Sequence, residues 1–212
     1  MIVYGSSMSP FVRKVLVFAG EKGVEVDHKA IGLRSTDAEF RSTSPFGRMP
    51  GFRDGDFAIS DSSAIVTYLE AKFPEPNLIP VGPAERARTI WFDEFADTLL
   101  FGCASKIFFN RIVAPRFLGE AGNLETAARA EAEELLALLD YLQTQIPASG
   151  FLVEDRLTLA DIAVASPFAN LEHCGTDMSD RPLLRAYVDA ILTRPTFDKW
   201  LSGERAYLAK TG

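Results

Sequence analysis

Hydrophobic and polar positions follow strand-like and helix-like spacing in turn over the first eighty residues. Ser9-Pro10 has the form of a helix start, a capping hydroxyl followed by proline, and apolar residues follow at helical spacing. Two apolar runs flank Asp54-Gly55-Asp56, which predicts a β-hairpin. The predicted elements are strand 1–4, helix 9–23, strand 24–31, helix 35–40, strands 51–53 and 57–59, and helix 61–73. This β-α-β-α-β-β-α order requires a mixed sheet with helices packed on it.

The remainder of the chain is patterned as helices. Residues 73–83 contain four prolines in eleven residues and cannot form one regular element. We therefore predict an α/β domain at 1–76, a linker at 77–83 and an all-helical domain at 84–212. The predicted helices are 84–109, 124–146, 158–173, 183–192 and 197–208, with Pro115 interrupting whatever follows the first of them.

One helix start in the second domain has a complete capping pattern. Thr158 is followed three residues later by Asp161, so each side chain can reach the backbone of the other. Leu157 and Ile162 stand at the positions of a hydrophobic staple around that cap. The pattern predicts a structural role for Asp161, which is therefore not a candidate acid or base.

Composition excludes several classes of protein. The chain has 212 residues and a net charge of −7, whereas nucleic-acid binders carry basic surfaces. No apolar run approaches the roughly 18 residues of a membrane span, and the first residues have no secretion-signal pattern. Cys103 and Cys174 lie in no metal-ligand spacing and are expected to be reduced, buried thiols. We expect a cytoplasmic protein without a zinc site, a disulfide framework, or a nucleic-acid or membrane partner.

The two histidines do not form a catalytic pattern. His28 falls in a predicted strand and His173 near a helix end, and neither belongs to a metal-binding or Ser-His motif. We expect a surface or capping role for each. Three other clusters, all in the first domain, contain the residues that could carry chemistry.

The first cluster is the strand-to-helix turn from Ser6 to Arg13, which contains three hydroxyls. Backbone N–H groups at a helix N-terminus stabilise an anion, and a hydroxyl there can donate to it. A thiol bound at this turn would have a lowered pKa, as cysteines at helix starts do. The alternative is that Ser9 serves only as the helix cap.

The second and third clusters offer groups for an extended, zwitterionic ligand. Pro50 enters a strand after Gly-Arg-Met, where a cis peptide at Met49-Pro50 would turn backbone groups outward, although only about one X–Pro bond in twenty is cis. Arg48 could attract a carboxylate. Asp61 and Ser62 share a helix N-terminus, where they could hold the ammonium and carboxylate of an amino acid. Helix capping by Asp61 is an equally good explanation of the third cluster taken alone.

Together, the clusters make the chain resemble the cytosolic glutathione transferase superfamily over essentially its whole length. The opening resembles the serine-type transferases (tau, phi, theta, zeta and bacterial relatives), since no tyrosine or cysteine stands at the position of Ser9. The matching motifs are Tyr4-Gly5 through Ser9-xxx-Arg13, Gly47-Arg48-Met49-Pro50, Asp61-Ser62-Ser63-Ala64-Ile65 and Thr158-Leu159-Ala160-Asp161-Ile162-Ala163. The resemblance implies a thioredoxin-like first domain and an all-helical second domain.

The resemblance also implies a role for each site residue. Ser9 would donate a hydrogen bond to the glutathione sulfur and favour its thiolate, while Met49, with Pro50 in cis, would pair through its backbone with the cysteinyl unit. The remaining glutathione-binding residues would be Asp61 and Ser62 for the γ-glutamyl end and Arg48 and Arg34 for the glycine carboxylate. Asp61 departs from the glutamate that is commoner in the family.

The implied activity is addition of the glutathione thiolate to a small hydrophobic electrophile. Glutathione would be a co-substrate, and neither a metal nor a separate cofactor is implied. The acceptor pocket would lie between the domains, with Ser7, Met8, Phe101 and Phe108 as candidate lining residues, although the phenylalanines are as well explained as core. A homodimer is implied, and Phe46 stands where some classes insert an aromatic side chain into the partner.

Two alternatives differ in kind. One is a glutathione-dependent isomerase or lyase of the same fold, in which glutathione is regenerated. The other is a non-catalytic interaction protein on the same scaffold. The presence of Ser9, Arg48, Asp61 and Ser62 counts against the second alternative.

Overall fold

The computed structural model describes residues 1–210 and divides into two compact units, one of residues 1–80 and one that begins at Val81. The first unit has the predicted element order and is a thioredoxin-like α/β domain, which confirms the predicted fold class. Its elements are β1 (Ile2–Tyr4), α1 (Pro10–Glu21), β2 (Asp27–Lys29), α2 (Ala38–Thr43), β3 (Gly51–Asp54), β4 (Phe57–Ser60) and α3 (Ser62–Lys72).

The four strands form a mixed sheet in the order β2-β1-β3-β4. Strand β1 runs parallel to β2 and antiparallel to β3, and β3 runs antiparallel to β4. Helices α1 and α3 contact each other, α1 also contacts β1, and α2 contacts β3. The core between these elements is fully buried and includes Val3, Phe18, Phe52 and Leu69.

Two predicted boundaries in the first unit are wrong. The strand predicted at 24–31 is only Asp27–Lys29, because its partner β1 offers three residues for pairing and the amide of Val24 is still bonded to the end of α1 at Ala19. The helix predicted at 35–40 begins later, at Ala38, because the side chain of Asp37 caps it by accepting a 2.8 Å hydrogen bond from the Phe40 amide.

A buried ion pair holds the end of the first unit. Nζ of Lys22 lies 2.7 Å from Oε2 of Glu70, with the Lys22 side chain fully buried. The other Glu70 oxygen accepts hydrogen bonds from the Asn77 side chain and from the backbone amides of Leu78 and Ile79. Lys22 also donates to the carbonyl of Pro76. The carboxylate therefore anchors a segment that has no regular secondary structure.

The second unit is helical throughout its regular elements, as predicted. Its α-helices are α4 (Pro83–Glu94), α5 (Phe101–Phe108), α6 (Leu124–Arg129), α7 (Leu136–Gln145), α8 (Leu159–His173), α9 (Pro182–Leu192) and α10 (Pro195–Lys210). The predicted domain extends to residue 212, and its last two residues lie outside the described part of the chain. No helix within residues 1–210 is long and apolar enough to cross a membrane.

Three π-helical segments join several of these helices without a break. They are Phe95–Leu100, Phe109–Leu118 and Ala130–Leu135. The prediction that Pro115 interrupts whatever follows the first helix is wrong, because this proline lies inside the second π-helical segment. Proline lacks the N–H that an α-helical turn requires, and the wider π-helical turn accommodates it without ending the helix.

The capping pattern at Thr158 is formed as predicted. The amide of Thr158 donates to Oδ2 of Asp161 at 2.9 Å, and the structure has both halves of the capping box. Oδ1 of Asp161 accepts a second backbone hydrogen bond from Leu152, also at 2.9 Å. Asp161 is fully buried, and its carboxylate accepts hydrogen bonds that hold the start of the helix, which confirms the predicted structural role.

Candidate active site

The sheet brings the three predicted clusters to the same end. Tyr4 at the end of β1 pairs with Gly51 at the start of β3, and Gly51 pairs with Ser60 at the end of β4. The turn from Ser6 to Ser9 follows Tyr4, Met49-Pro50 precedes Gly51, and Asp61-Ser62 follows Ser60. Segments far apart in sequence thereby meet at the N-terminal ends of α1 and α3, where helix amides and dipoles favour a negative charge.

Gly5 begins the hydroxyl-bearing turn in a conformation that favours glycine. Its φ is +144°, and a Cβ there would lie 2.5 Å from Cγ2 of Val12 and 3.2 Å from Cβ of Met49. The next amide, that of Ser6, donates to the Met49 sulfur at 3.4 Å. The first cluster therefore packs directly on the second, and a larger residue than glycine at position 5 would separate them.

Ser9 occupies the N-cap position of α1, but its side chain makes no capping hydrogen bond within the described residues. Its amide donates to the carbonyl of Ser6 at 2.9 Å, and its own carbonyl accepts from Arg13 at 2.9 Å. The hydroxyl of Ser6, in contrast, accepts from the Met8 amide at 3.3 Å. The Ser9 hydroxyl is half-buried at the helix start and is not committed to capping, so the cap-only alternative has no support in the geometry.

The Met49-Pro50 peptide is cis, as the resemblance implied. The hydroxyl of Ser44 donates to the carbonyl of Arg48 at 2.6 Å, which fixes the backbone just before Met49. Met49 itself is half-buried and Pro50 is buried. Arg48 and Arg34 have exposed side chains on loops, and Arg34 has a φ of +62°. Both residues lie at the surface of the first unit.

Asp61 and Ser62 lie side by side at the start of α3. Oδ1 of Asp61 accepts a 2.9 Å hydrogen bond from the Ala64 amide, so the side chain does cap the helix. Its φ of +92° is unusual for a residue other than glycine, and such strained residues cluster at active sites and ligand clamps. Asp61 is exposed, whereas Ser62 is almost fully buried. Capping uses one carboxylate oxygen, and an ammonium group would need only the other.

The four acceptor-pocket candidates occupy different environments. Ser7 and Met8 are half-buried in the turn before α1. Phe101, at the start of α5, is half-buried, and Phe108, at its end, is buried in the second unit. Phe108 therefore fits the core explanation that the sequence left open.

Sequence reasoning missed the contact made by His28, which lies in β2 as predicted. Its Nε2 is 2.7 Å from the carbonyl oxygen of Gly5, at the start of the hydroxyl-bearing turn. The parallel register that pairs Val3 with His28 sets this contact, and a strand assignment alone does not give a register. His173, the other histidine, pairs with Glu204 at 3.0 Å between α8 and α10.

Two consecutive cations of α1 are also buried, which the helical pattern did not predict. Arg13 and Lys14 are at most 1% exposed. Nζ of Lys14 donates to the hydroxyl of Ser63 at 3.2 Å, next to the Asp61-Ser62 pair. The helix that carries Ser9 is thereby linked to the helix that carries the third cluster.

The two thiols are poor nucleophiles. Burial raises the pKa of Cys103 to about 11 and that of Cys174 to about 12, so both are protonated near neutral pH. Cys103 is buried as predicted, whereas Cys174 is only half-buried. Within residues 1–210, no group of three or more His, Cys, Asp or Glu residues could hold a metal ion.

Comparisons with known proteins give consistent similarities over both units. The family models "Glutathione S-transferase, N-terminal domain" and "Glutathione S-transferase, C-terminal domain" match residues 3–77 and 98–195. A glutathione S-transferase of Hyoscyamus muticus is 30% identical over 210 residues, covering 94% of this chain and 96% of that protein. Glutathione S-transferase 3 of Zea mays is 28% identical over 208 residues, covering 93% and 91%. The crystal structure of a glutathione S-transferase from Rhodospirillum rubrum F11 has the same fold, with a TM-score of 0.86, 24% identity and coverage of 94% and 90%.

Proposed function

Because this chain belongs to the glutathione S-transferase family, we propose that it binds the thiol of glutathione at the start of α1, where the hydroxyl of Ser9 donates a hydrogen bond to the sulfur. The chain is a glutathione transferase. The observation that carries the proposal is the uncommitted hydroxyl of Ser9 at a helix N-terminus. Ser6 is a weaker candidate because its hydroxyl already accepts from the Met8 amide.

In the proposed reaction the thiol loses its proton to solvent on binding, and the hydroxyl of Ser9 and the positive end of α1 stabilise the thiolate. The sulfur then supplies the electron pair for a new S–C bond with the electrophile. With a halogenated acceptor the carbon–halogen bond breaks and halide leaves with its electrons, whereas an enone takes up a proton instead. Catalysis consists of lowering the pKa of the thiol and holding the sulfur beside the acceptor.

The other parts of glutathione have matching groups on the first unit. The Met49 backbone suits the cysteinyl unit, an extended peptide in need of a pairing edge. The free oxygen of Asp61 suits the γ-glutamyl ammonium, while Ser62 and the start of α3 suit its carboxylate. Arg48 and Arg34 suit the glycine carboxylate because both are cationic and exposed. The strand register that aligns all three clusters supports this assignment.

The electrophile is proposed to be small and hydrophobic, and Ser7 and Met8 of the turn before α1 are its proposed contacts on the first unit. The proposal includes no metal and no separate cofactor. It also includes a homodimer in the cytoplasm, to which the exposed ring of Phe46 contributes an anchor. The exposed position of that ring, on a loop of the first unit, is what supports the anchor.

The test is a pair of matched serine variants in a conjugation assay against halogenated aromatics, enones, epoxides and hydroperoxides. Ser9→Ala should raise the apparent pKa of conjugation and lower kcat/KM near neutral pH by about 10- to 100-fold, the loss of one donor to an anion. Ser7→Ala, in the same turn, should leave the pH profile nearly intact. The assignment is wrong if Ser7→Ala abolishes conjugation while Ser9→Ala keeps the wild-type profile.

A further inference from the structure

Two side chains contact the peptide group between Gly5 and Ser6, one at its oxygen and one at its N–H. Its oxygen, the carbonyl of Gly5, lies 2.7 Å from Nε2 of His28. Its N–H, on Ser6, donates to the sulfur of Met49 at 3.4 Å. The preceding amide, on Gly5, is held as well, since it donates to the carbonyl of Lys29 at 3.0 Å. His28 and Met49 therefore fix the rotation of one peptide plane at the exit of β1.

The state of the His28 ring follows from its partner. A carbonyl oxygen only accepts hydrogen bonds, so Nε2 carries the hydrogen and donates. The contact therefore positions the Gly5 carbonyl.

The orientation of this peptide affects the position of Ser9 through one backbone hydrogen bond. The carbonyl of Ser6, the next one along the chain, accepts a hydrogen bond from the amide of Ser9 at 2.9 Å. The carbonyl of Ser9 then accepts from Arg13, inside α1. Gly5 alone cannot hold this geometry, because glycine rotates more freely than any other residue. An external donor is needed to select one orientation.

We infer that His28 is a positioning residue for the turn that activates the glutathione thiol. It acts by holding the Gly5 carbonyl so that the Ser9 hydroxyl faces the sulfur. The inference rests on the proposed role of Ser9.

The test compares His28→Leu, which keeps an apolar side chain of similar size without a donor, with His28→Gln, whose amide N–H reaches a similar distance. The pKa of the bound thiol is read from thiolate ultraviolet absorbance as the pH is raised. His28→Leu should raise that pKa by about half to one unit, the equivalent of one net hydrogen bond. His28→Gln should keep the pKa close to its wild-type value. Affinity for S-methylglutathione, which has no ionisable thiol, should stay within about twofold of wild type. General loosening of the domain would weaken that affinity as well.

An unchanged thiol pKa in folded His28→Leu overturns the inference, and so does an equal shift in His28→Gln. If His28→Leu does not fold, His28→Phe, which keeps a ring without a hydrogen-bond donor, takes its place. An unchanged thiol pKa there overturns the inference too. Ser9→Ala separates the two levels: if it leaves the thiol pKa unchanged, the proposed role of Ser9 fails. If Ser9→Ala shifts the thiol pKa and the His28 variant does not, the proposed role of Ser9 stands and only the inference about His28 fails.

Discussion

The hydroxyl of Tyr187 donates a hydrogen bond to Oδ1 of Asp161 across 3.1 Å in the buried core of the second unit. Asp161 also accepts from the amides of Leu152 and Thr158. The Thr158 hydroxyl is a fourth donor. Burial outweighs all four hydrogen bonds and raises the pKa of Asp161 from 3.8 to about 6. Burial of the Tyr187 hydroxyl, together with the charge of the Asp161 carboxylate beside it, raises the pKa of Tyr187 well above 10. The cap that starts α8 is therefore a titrating group within reach of ordinary pH.

The raised pKa of Asp161 predicts a pH-dependent contribution to folding. The folded state binds this proton more tightly than the unfolded state, so the stabilisation is fully present below about pH 4 and is lost as pH rises through about 6. A shift of about two units corresponds to about 3 kcal/mol. Urea unfolding from pH 4 to 8 should therefore show wild type losing stability relative to Asp161→Asn as pH rises. Equal slopes in the two proteins would contradict this.

Variants of Asp61 can separate ligand binding from capping. Asp61→Asn keeps an oxygen for the Ala64 amide and removes the charge, whereas Asp61→Ala removes both. Both should raise the glutathione KM by roughly 10- to 100-fold with little change in kcat, because the contact is to a part of glutathione that does not react. Only Asp61→Ala should lower the unfolding free energy as well, by about 1 kcal/mol.

Steady-state kinetics and urea unfolding of both Asp61 variants give these quantities. If glutathione KM is unchanged in Asp61→Asn, the third cluster is only a helix cap. The carry-over of a binding role from the family's glutamate to this shorter aspartate would then be wrong.

The Lys22–Glu70 pair should respond unequally to its two single variants. Glu70→Gln leaves the buried ammonium of Lys22 without its carboxylate and should cost about 3–5 kcal/mol. Lys22→Met should cost less, because Glu70 keeps the Asn77 side chain and the amides of Leu78 and Ile79 as donors. Urea unfolding of both variants measures the difference. Equal losses of unfolding free energy would mean that the three donors to Glu70 do not compensate its carboxylate for the missing Lys22 ammonium.

Phe46 tests the proposed homodimer. Phe46 is 88% exposed, the highest fraction among the large apolar residues of positions 1–210. Light scattering at micromolar concentration should give about twice the 23.3 kDa chain mass. Phe46→Ala should weaken the dimer by about 30-fold, as loss of a buried aromatic anchor does. Leu33→Ala, at an exposed apolar residue on another loop, is the matched control.

A monomeric wild type would rule out the dimer. A dimer that resists Phe46→Ala would rule out only the anchor and leave the assembly itself in place.

Local signals in the sequence were sufficient for the fold of the first unit. The hairpin at Gly55 and the helix start at Ser9-Pro10 depend on turn and capping chemistry that neighbouring residues determine, and both are present. The capping box at Thr158 was predictable for the same reason. The length of β2 was not, because a strand ends where its partner ends rather than where its own pattern does.

The contacts within the candidate site could be predicted only in part. Motif order made Ser9, Met49 and Asp61 candidates, but the register of the sheet decides which distant segments lie beside one another. The sulfur of Met49 meets the Ser6 amide, and His28 meets the Gly5 carbonyl, across 43 and 23 positions of the chain. Nor does a helical pattern show that Lys14 is buried, since its hydroxyl partner, Ser63, belongs to another helix.

The pairing of Tyr4 with Gly51 and of Gly51 with Ser60 has a consequence for the lifetime of the protein. The three segments proposed to hold glutathione are neighbours only while the sheet is intact, so unfolding of the sheet scatters the site completely. A molecule that bridges all three binds the folded sheet alone and stabilises it in proportion to the logarithm of its concentration. With glutathione bound as proposed, we expect a fall in its concentration to raise the fraction of molecules whose first unit is open to a protease.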